Sequence, residues 1–284
     1  MNTTTRLLPV ILLLGVSISC KKEADVPPPV ICQVQKIDYN DGTYSTFEYD
    51  AQGLVTKSQS YYLDQTGKLA SYGGQYLYNS QGLLERVMPF VGGQAPPQDF
   101  FEQFAYVNGA LSNIDITEAG KLVYRFEVTT NANKQIIAMK GISFDKANYP
   151  EYTGAHTLDA QGHYIKSEGT DANGVFWRFE SGDFDPAVKT DYDSFKGWPV
   201  NATSSWYQYG VLTPINGAGA RRKHDFSYGY DTNGNYVGLK KLYDFTYTYQ
   251  TNSNGYVTQL TANNVAVTPA AVVYKTTYNY TNCQ

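Results

Sequence analysis

The sequence predicts an all-β protein: an antiparallel meander of consecutive hairpins, curled into a barrel-like or strongly twisted sheet. Three observations support this. The stretch Phe47–Val55 alternates aromatic and polar residues, forms a tight turn closed by Gly53 and continues with an apolar residue. We call this pattern the hairpin motif, and it recurs along the chain. No long segment has the 3.6-residue period of a helix. Aromatic residues, which favour half-buried pleated surfaces, make up 15% of the 284 residues, and 26 of them are Tyr.

The residue types of the hairpin motif explain why it predicts a hairpin. Phe47 and Tyr49 are two residues apart, so they project from the same side of a strand, whereas Glu48 projects from the other side. The Asp50 side chain can accept a hydrogen bond from the backbone two residues on, which starts a turn. Gly53 adopts the positive φ that closes the turn at little cost.

Copies of the hairpin motif predict the order of strands and turns along the chain. The closest copy is Tyr76–Leu84, and Phe226–Gly234 also keeps the aromatic alternation and the turn. The turn alone returns at Asp64–Gly67, Asp159–Gly162, Asp171–Gly174 and Asn252–Gly255. Turn chemistry also explains the two Asp-x-Asn-Gly stretches, because neither is followed by the bidentate Glu of a calcium loop. About five strands are expected in residues 31–91. After a loop at 92–99, further strands are expected at Phe100–Val107, Ala110–Thr117, Lys121–Thr130 and Gln135–Phe144.

One segment, Gly182–Ser205, breaks this rhythm and predicts an irregular loop. A short helix is expected to start at Pro186, because proline suits a first helical turn. Long loops of this kind are often functional. Alternation returns with aromatic residues from Tyr243 to Tyr249 on one face. Such a face must be buried, so we expect the sheet to curl on itself or to pack against a second sheet.

The first 30 residues predict export and anchoring rather than fold. The apolar run Leu7–Val16 is too short to span a bilayer as a helix. It ends at Ser17-Ile18-Ser19-Cys20, which resembles a bacterial lipoprotein signal with Cys20 as the acylated first residue. We therefore predict a signal peptide at 1–19, a lipidated tether at 20–30 that contains a stiff proline run, and a single β domain at 31–284. An ordinary secretory signal with an unmodified Cys20 is the alternative.

Two further cysteines flank the predicted domain. Cys32 stands at the start of the first predicted strand, and Cys283 lies one residue from the end of the chain. An oxidising compartment permits a disulfide bond between them, which would join the first and last strands where a closed meander meets itself. The chain-entropy model gives roughly 5 kcal/mol as the upper stabilisation. Two unpaired thiols are the alternative.

Charge narrows the range of partners. The net charge of −4 argues against binding to nucleic acid or to anionic lipid. A membrane-spanning barrel would place its apolar face outward. The lipoprotein-like signal, the polar spacer and the polar chain end favour instead a domain attached to the membrane by the lipid on Cys20.

The repeated motif, aromatic-x-Tyr-Asp-x-x-Gly-hydrophobic, resembles the YD repeat of Rhs-type proteins, whose strands form large curved sheets. Together with the lipoprotein-like N-terminus, residues 31–284 resemble a family of Bacteroidetes outer-membrane lipoproteins of unknown function with a porin-like β fold. This resemblance implies an outer-membrane location and no catalytic residues. The charged stretch Lys21–Asp25 resembles a surface-export signal, with a plain solvated tether as the alternative.

Few residues carry recognisable chemistry. His156 and His163 flank one turn, but a zinc site needs three or four ligands, so neither a metal site nor a cofactor is predicted. No nucleophile motif or phosphate-binding glycine loop is present, and no catalytic residue is predicted.

The candidate binding residues are all in or near the irregular region. Trp198 and Trp206 are candidates for a sugar-stacking surface, with core packing as the alternative. Arg221 and Arg222 are candidates for anion or acidic-glycan binding, with a solvated strand edge as the alternative. These features predict a non-enzymatic envelope lipoprotein that binds a glycan, a peptide or another envelope protein through its loops. A structural component of an envelope complex without a small ligand is the second hypothesis, and a hydrolase with a hidden site is the third.

Overall fold

The computed structural model describes residues 31–146, 151–200, 218–230, 236–265 and 271–283. Sixteen strands run through these residues: β1 (Gln33–Asp38), β2 (Tyr44–Tyr49), β3 (Val55–Leu63), β4 (Leu69–Tyr78), β5 (Leu84–Val91), β6 (Phe101–Val107), β7 (Ala110–Glu118), β8 (Lys121–Thr130), β9 (Ile136–Ser143), β10 (Thr153–Leu158), β11 (Tyr164–Asp171), β12 (Gly174–Lys189), β13 (Ala218–Tyr230), β14 (Tyr236–Thr251), β15 (Val257–Asn264) and β16 (Ala271–Thr281).

Each strand pairs antiparallel with its neighbours in sequence, and β1 pairs with β16, so the sheet closes into a barrel. The closing register runs from Gln33 opposite Thr281 to Asp38 opposite Thr277. The predicted all-β meander is confirmed. Closure answers the question that the strand pattern left open, between a barrel and an open twisted sheet.

The recurring turn has one structure. In Asp50–Leu54, the Oδ1 atom of Asp50 accepts hydrogen bonds from the backbone N–H groups of Gln52 and Leu54, both at 2.9 Å. Gly53 has a φ of 77°. The same pair of side-chain bonds occurs in the described turns that begin at Asp64, Asn79, Asn131, Asp159 and Asn252. The Asp or Asn of the hairpin motif therefore acts as the hydrogen-bond acceptor that organises each of these turns.

In three hairpins, a tyrosine just before the turn bonds to the backbone of the preceding strand. The Tyr49 hydroxyl donates to the carbonyl of Val34, and the Tyr78 hydroxyl donates to that of Val55, each at 2.8 Å. Tyr106 makes the equivalent bond to Leu84 at 2.7 Å. These bonds satisfy a polar atom at the end of a mostly apolar ring.

The two faces of the barrel wall differ in chemistry. Cross-strand partners such as Ile114 and Phe126 point inward and are almost fully buried. The alternate positions point outward and carry ion pairs, for example Arg125 with Asp115 at 2.6 Å and Arg178 with Glu168. The apolar face is therefore enclosed in the described part of the wall.

The described residues that follow β12 enter the barrel. We call residues 190–200 the plug; they contain a 3₁₀ turn, Asp191–Ser194. Phe195 of the plug packs on the inward-facing Phe47, with ring centroids 5.1 Å apart. The Gly197 carbonyl accepts a bond from the Leu84 N–H at 3.0 Å. The plug thus fills the end of the barrel where the chain enters at Cys32.

The prediction of a short helix that starts at Pro186 is wrong. Strand β12 continues to Lys189, with a register shift between Asp185 and Lys189 that accommodates the proline, which has no N–H to donate. Among the described residues, no helix has the length and hydropathy required to cross a membrane.

The predicted disulfide bond is confirmed. Cys32 and Cys283 are bonded, with their Cα atoms 4.4 Å apart and a separation of 251 positions in sequence. The bond joins the ends of β1 and β16 at the closing seam.

Candidate ligand-binding site

A cavity of about 320 Å³ lies inside the barrel, between the plug and the inner faces of β1 and β14–β16. We call it the tyrosine well, because six of its lining residues are tyrosines. Its lining consists of Ile37, Tyr39, Thr190, Asp191, Tyr192, Tyr247, Tyr249, Val257, Leu260, Tyr274 and Tyr278.

Strand register explains why the tyrosines converge. Tyr247 and Tyr249 alternate along β14 and lie opposite Ala262 and Leu260, so both point inward. Tyr278 of β16 lies opposite Ile37 of β1 across the closing seam. The seam therefore brings together rings from the two ends of the chain.

The well is reached past partly exposed rings. Tyr39, which directly follows β1, is 39% exposed and Tyr274 is 40% exposed. Deeper in the well, burial raises the pKa of Tyr192 and of Tyr278 well above the ordinary value. These phenols stay neutral at physiological pH.

Asp191 supplies the charge of the well. It begins the 3₁₀ turn of the plug and lines the well. Burial raises its pKa to about 6, the nearby Asp193 carboxylate adds to the rise, and backbone N–H groups partly oppose it. The carboxylate is therefore mostly ionised at neutral pH. Among the described residues that line the well, none is Lys, Arg or His.

The second plug carboxylate has a structural role. Asp193 Oδ2 accepts a bond from the Thr190 N–H at 2.7 Å and so caps the 3₁₀ turn. Asp193 does not line the well. The two carboxylates therefore do not face each other across a bound molecule.

The structure corrects the expectation of an exposed Trp198. Its side chain is only 6% exposed and packs on Tyr76, with ring centroids 4.7 Å apart. Its Nε1–H donates to the Tyr78 hydroxyl at 2.8 Å. Trp198 is part of the core, which was the alternative, because the plug folds inward instead of lying on the surface.

Other predicted residues lie partly or wholly outside the described part of the chain. Cys20 and Trp206 are outside the described residues. Arg221 and Arg222 belong to β13, and Arg222 is in register with Thr246, but their side chains are outside the description.

The two histidines have separate partners. His156 Nδ1 lies 2.8 Å from Ser167 Oγ, and burial lowers the pKa of this histidine to about 4. His163 Nδ1 lies 2.8 Å from Asp159 Oδ2. In the described ranges, no three metal-ligating side chains form a group. Ser167 is fully buried, so its contact with His156 lies in the core and gives a substrate no access.

Sequence reasoning missed Asp191 and the well. The stretch Thr190-Asp191-Tyr192-Asp193 carries a capping pattern that could have revealed the 3₁₀ turn. Its proximity to tyrosines 56 or more residues later in the chain has no local signal.

Comparison with known proteins identifies the fold. No family model matches the chain, and no curated protein matches its sequence. The structure resembles that of a porin-like protein from Bacteroides uniformis ATCC 8492, with a TM-score of 0.51 and 8% identity over 89% of this chain and 97% of that one. A porin-like protein from Bacteroides vulgatus ATCC 8482 gives a TM-score of 0.50 and 11% identity over 88% and 99%. The chain therefore has a porin-like β fold, and at these identities the likeness shows the fold alone.

Proposed function

We propose that this chain is a non-enzymatic protein of the cell envelope, held at the outer membrane by a lipid on Cys20, that binds a small ligand in the tyrosine well. The observation that carries the proposal is the well itself. Ligand sites are concave, mostly apolar and usually 300–1,000 Å³ in volume, with a few polar groups that orient the ligand. At about 320 Å³, the well suits a molecule the size of one or two sugar rings.

The envelope location rests on several supports. The signal-like N-terminus ends at Cys20, and the Cys32–Cys283 disulfide bond suits an oxidising compartment. The neighbours in fold are named porin-like and come from Bacteroides. Outward-facing ion pairs such as Arg125–Asp115 disfavour contact between the wall and lipid tails, so we assign membrane attachment to the lipid.

A binding role fits better than catalysis. Glycoside hydrolysis normally uses two carboxyl groups on either side of the substrate. Here Asp191 faces the well, whereas Asp193 is engaged by the Thr190 backbone. The buried contact between His156 and Ser167 lies outside the well.

The test is a glycan array and calorimetry with the full-length protein, alongside Tyr247→Ala. Tyr61, which is stacked on Tyr44 on the outer face, provides the matched control Tyr61→Ala. We expect Tyr247→Ala to abolish binding and Tyr61→Ala to leave it unchanged. Equal binding by both variants would place the ligand elsewhere. Separately, loss of lipid labelling in Cys20→Ala tests the anchor.

One observation favours the second hypothesis, an assembly component. Grooves of about 680 and 670 Å³ lie between successive turns on the plug-end rim, one between the turns at Asp50 and Asn79 and the next beside Asn108. Such repeated grooves could seat an envelope partner. Co-purification of a stoichiometric partner that is lost in Gln81→Glu, with no ligand in the well, would favour this role.

A further inference from the structure

We propose that the tyrosine well holds one end of a linear oligosaccharide, and that the rest of the sugar chain leaves the barrel across a second set of tyrosines at the mouth opposite the plug. This inference rests on the proposed function, because it names the class of ligand bound at the same site and extends that site. We call Tyr39, Tyr62 and Tyr72 the mouth tyrosines. The inference predicts that affinity rises with chain length beyond the one or two rings that fit the well.

The well opens at the end of the barrel opposite the plug. Strand β1 starts at the plug end and finishes at Asp38, so Tyr39 stands at the opposite end. Tyr274 lies near the start of β16, which runs antiparallel to β1 and therefore begins at that same end. Both rings line the well, and they are 39% and 40% exposed. A ligand held in the well that extends outward passes these two rings into the mouth.

The strand register places two more tyrosines on the inner wall beside Tyr39. Ser45 of β2 is buried and lies opposite Ser60 of β3. Tyr62 is two residues beyond Ser60 on the same strand, so it shares the inner face. Tyr72 of β4 lies opposite Ser60, and its ring centroid is 5.7 Å from that of Tyr62. Both rings therefore belong to the lumen side of the wall.

These rings continue the site beyond the well. Tyr39 Oη lies 3.4 Å from Ser45 Oγ, which in turn lies 2.8 Å from Ser60 Oγ, so a row of hydroxyl groups links Tyr39 to the strand that carries Tyr62. Strand β3 lies two strands beyond β1, on the side away from β14–β16, which is about 10 Å along the wall. The well and Tyr62 are therefore on opposite sides of Tyr39. A molecule that only fills the well does not reach Tyr62, whereas a longer chain does.

The chemistry of the mouth suits a sugar chain. A tyrosine ring combines a flat apolar face with a polar tip, and a sugar ring likewise combines an apolar face with hydroxyl groups around its edge. Tyr62 is 38% exposed, so its ring has surface that a ligand can cover. Eight of the ten large apolar side chains that are exposed in the described part of the chain lie at the mouth end, and only Leu77 and Val107 lie towards the plug. Apolar exposure concentrated in one region indicates a binding surface. The inner-wall position of Tyr62 and Tyr72 favours a narrow chain that enters the lumen over a protein docked on the rim.

The test is calorimetry with the full-length protein and three series of probes, the malto-, cello- and chito-oligosaccharides, from the monosaccharide to the hexasaccharide. In a series that binds, we expect affinity to rise about tenfold from the disaccharide to the tetrasaccharide, because additional rings are covered. Tyr62→Ala should remove this gain and weaken hexasaccharide binding by about three- to tenfold, whereas Tyr62→Phe, which retains the ring, should keep the gain. Tyr61→Ala is the matched control on the outer face, where Tyr61 stacks on Tyr44.

A second measurement uses the unmodified protein and so does not depend on the folding of any variant. Tetranitromethane nitrates accessible tyrosine rings, and mass spectrometry of peptides locates the modified residues. We expect the hexasaccharide to protect Tyr62 from nitration several-fold, and the disaccharide to protect it much less. The reactivity of Tyr61 should not change with either sugar.

The outcomes separate this inference from the proposed function. Affinity that does not change with chain length overturns the inference, and so does a gain with length that survives Tyr62→Ala. If short sugars still bind in a Tyr247-dependent manner, the proposed function stands. If no series binds and a co-purified protein is lost from Tyr62→Ala, the mouth is a protein-docking surface and the inference is wrong. If no oligosaccharide and no array glycan binds, both proposals fail.

Discussion

Replacing Trp198 tests whether the plug is a packed part of the barrel. The ring is 6% exposed and lies between Tyr76 and Phe195, with centroids 4.7 Å from each. Truncation of a buried Trp to Ala typically costs about 3–5 kcal/mol, because apolar area is lost and a cavity remains. We expect Trp198→Ala to lower the free energy of unfolding by that amount.

The hydrogen bonds allow a finer test. Trp198 donates to the Tyr78 hydroxyl, which in turn donates to the Val55 carbonyl. Tyr78→Phe therefore leaves a buried donor and a buried acceptor unpaired, and we expect it to cost about 2–3 kcal/mol. Trp198→Phe keeps a ring but loses the donor and some volume, at about 2 kcal/mol. The double variant should cost about 1 kcal/mol less than the two single costs added together, because both remove the same bond.

The assay is urea-induced equilibrium unfolding followed by near-ultraviolet circular dichroism, which reports on packed aromatic rings. Leu77→Ala is the control, since Leu77 is 46% exposed on the outer face and should change stability by no more than about 0.5 kcal/mol. A loss for Trp198→Ala no larger than that of Leu77→Ala would refute the packed plug. Strict additivity of the two phenylalanine variants would refute the shared hydrogen bond.

Three other predictions concern the seam, the turns and the core. Replacing Cys32 and Cys283 together by Ser should lower the free energy of unfolding by up to about 5 kcal/mol, measured by thermal melting, because the bond closes a loop of 251 residues. Asp50→Ala should cost about 1–2 kcal/mol in urea unfolding, because two turn N–H groups lose their acceptor. Glu102→Gln should raise the free energy of unfolding more at pH 8 than at pH 5. Burial raises the pKa of Glu102 well above its ordinary value, and its Oε1 atom has no hydrogen-bond partner, so the ionised form that pH 8 favours is costly in the folded protein.

Each of these predictions has an internal control. Reductant should destabilise the unmodified protein but not the double Ser variant. Asp50→Asn should be nearly neutral, since Asn79 makes the same two bonds at its own turn, and a cost equal to that of Asp50→Ala would contradict the acceptor role. The folded state holds the Glu102 proton more tightly than the unfolded chain, so its stabilising contribution is lost as pH rises above about 4.5 through the raised folded pKa. If Glu102→Gln changed the free energy of unfolding by the same amount at pH 5 and at pH 8, this linkage would be contradicted.

Local chemistry made much of the fold predictable. The hairpin motif Phe47–Val55 contains alternating aromatic and polar residues, the acceptor of the turn and the glycine with positive φ. Each copy therefore predicted a hairpin without reference to the rest of the chain. The helix expected at Pro186 was wrong because a proline can occupy a register shift in a strand as readily as a first helical turn, and pairing with β13 decided between them. Trp198 was placed on a surface because it lies in an irregular segment, and nothing in that segment indicates whether it folds outward or inward.

By itself, the sequence determined that the chain is an antiparallel meander with one aromatic face, and that two cysteines stand where its ends would meet. These properties depend on neighbours within a few residues, or on the order of the strands, and so they can be read along the chain. Only the tertiary structure decided that β1 and β16 close the wall, that residues 190–200 turn inward, and that Asp191 meets tyrosines from both ends of the chain. Those contacts join residues 56 or more positions apart in sequence, so no local pattern encodes them. Burial of the aromatic face is what holds them together.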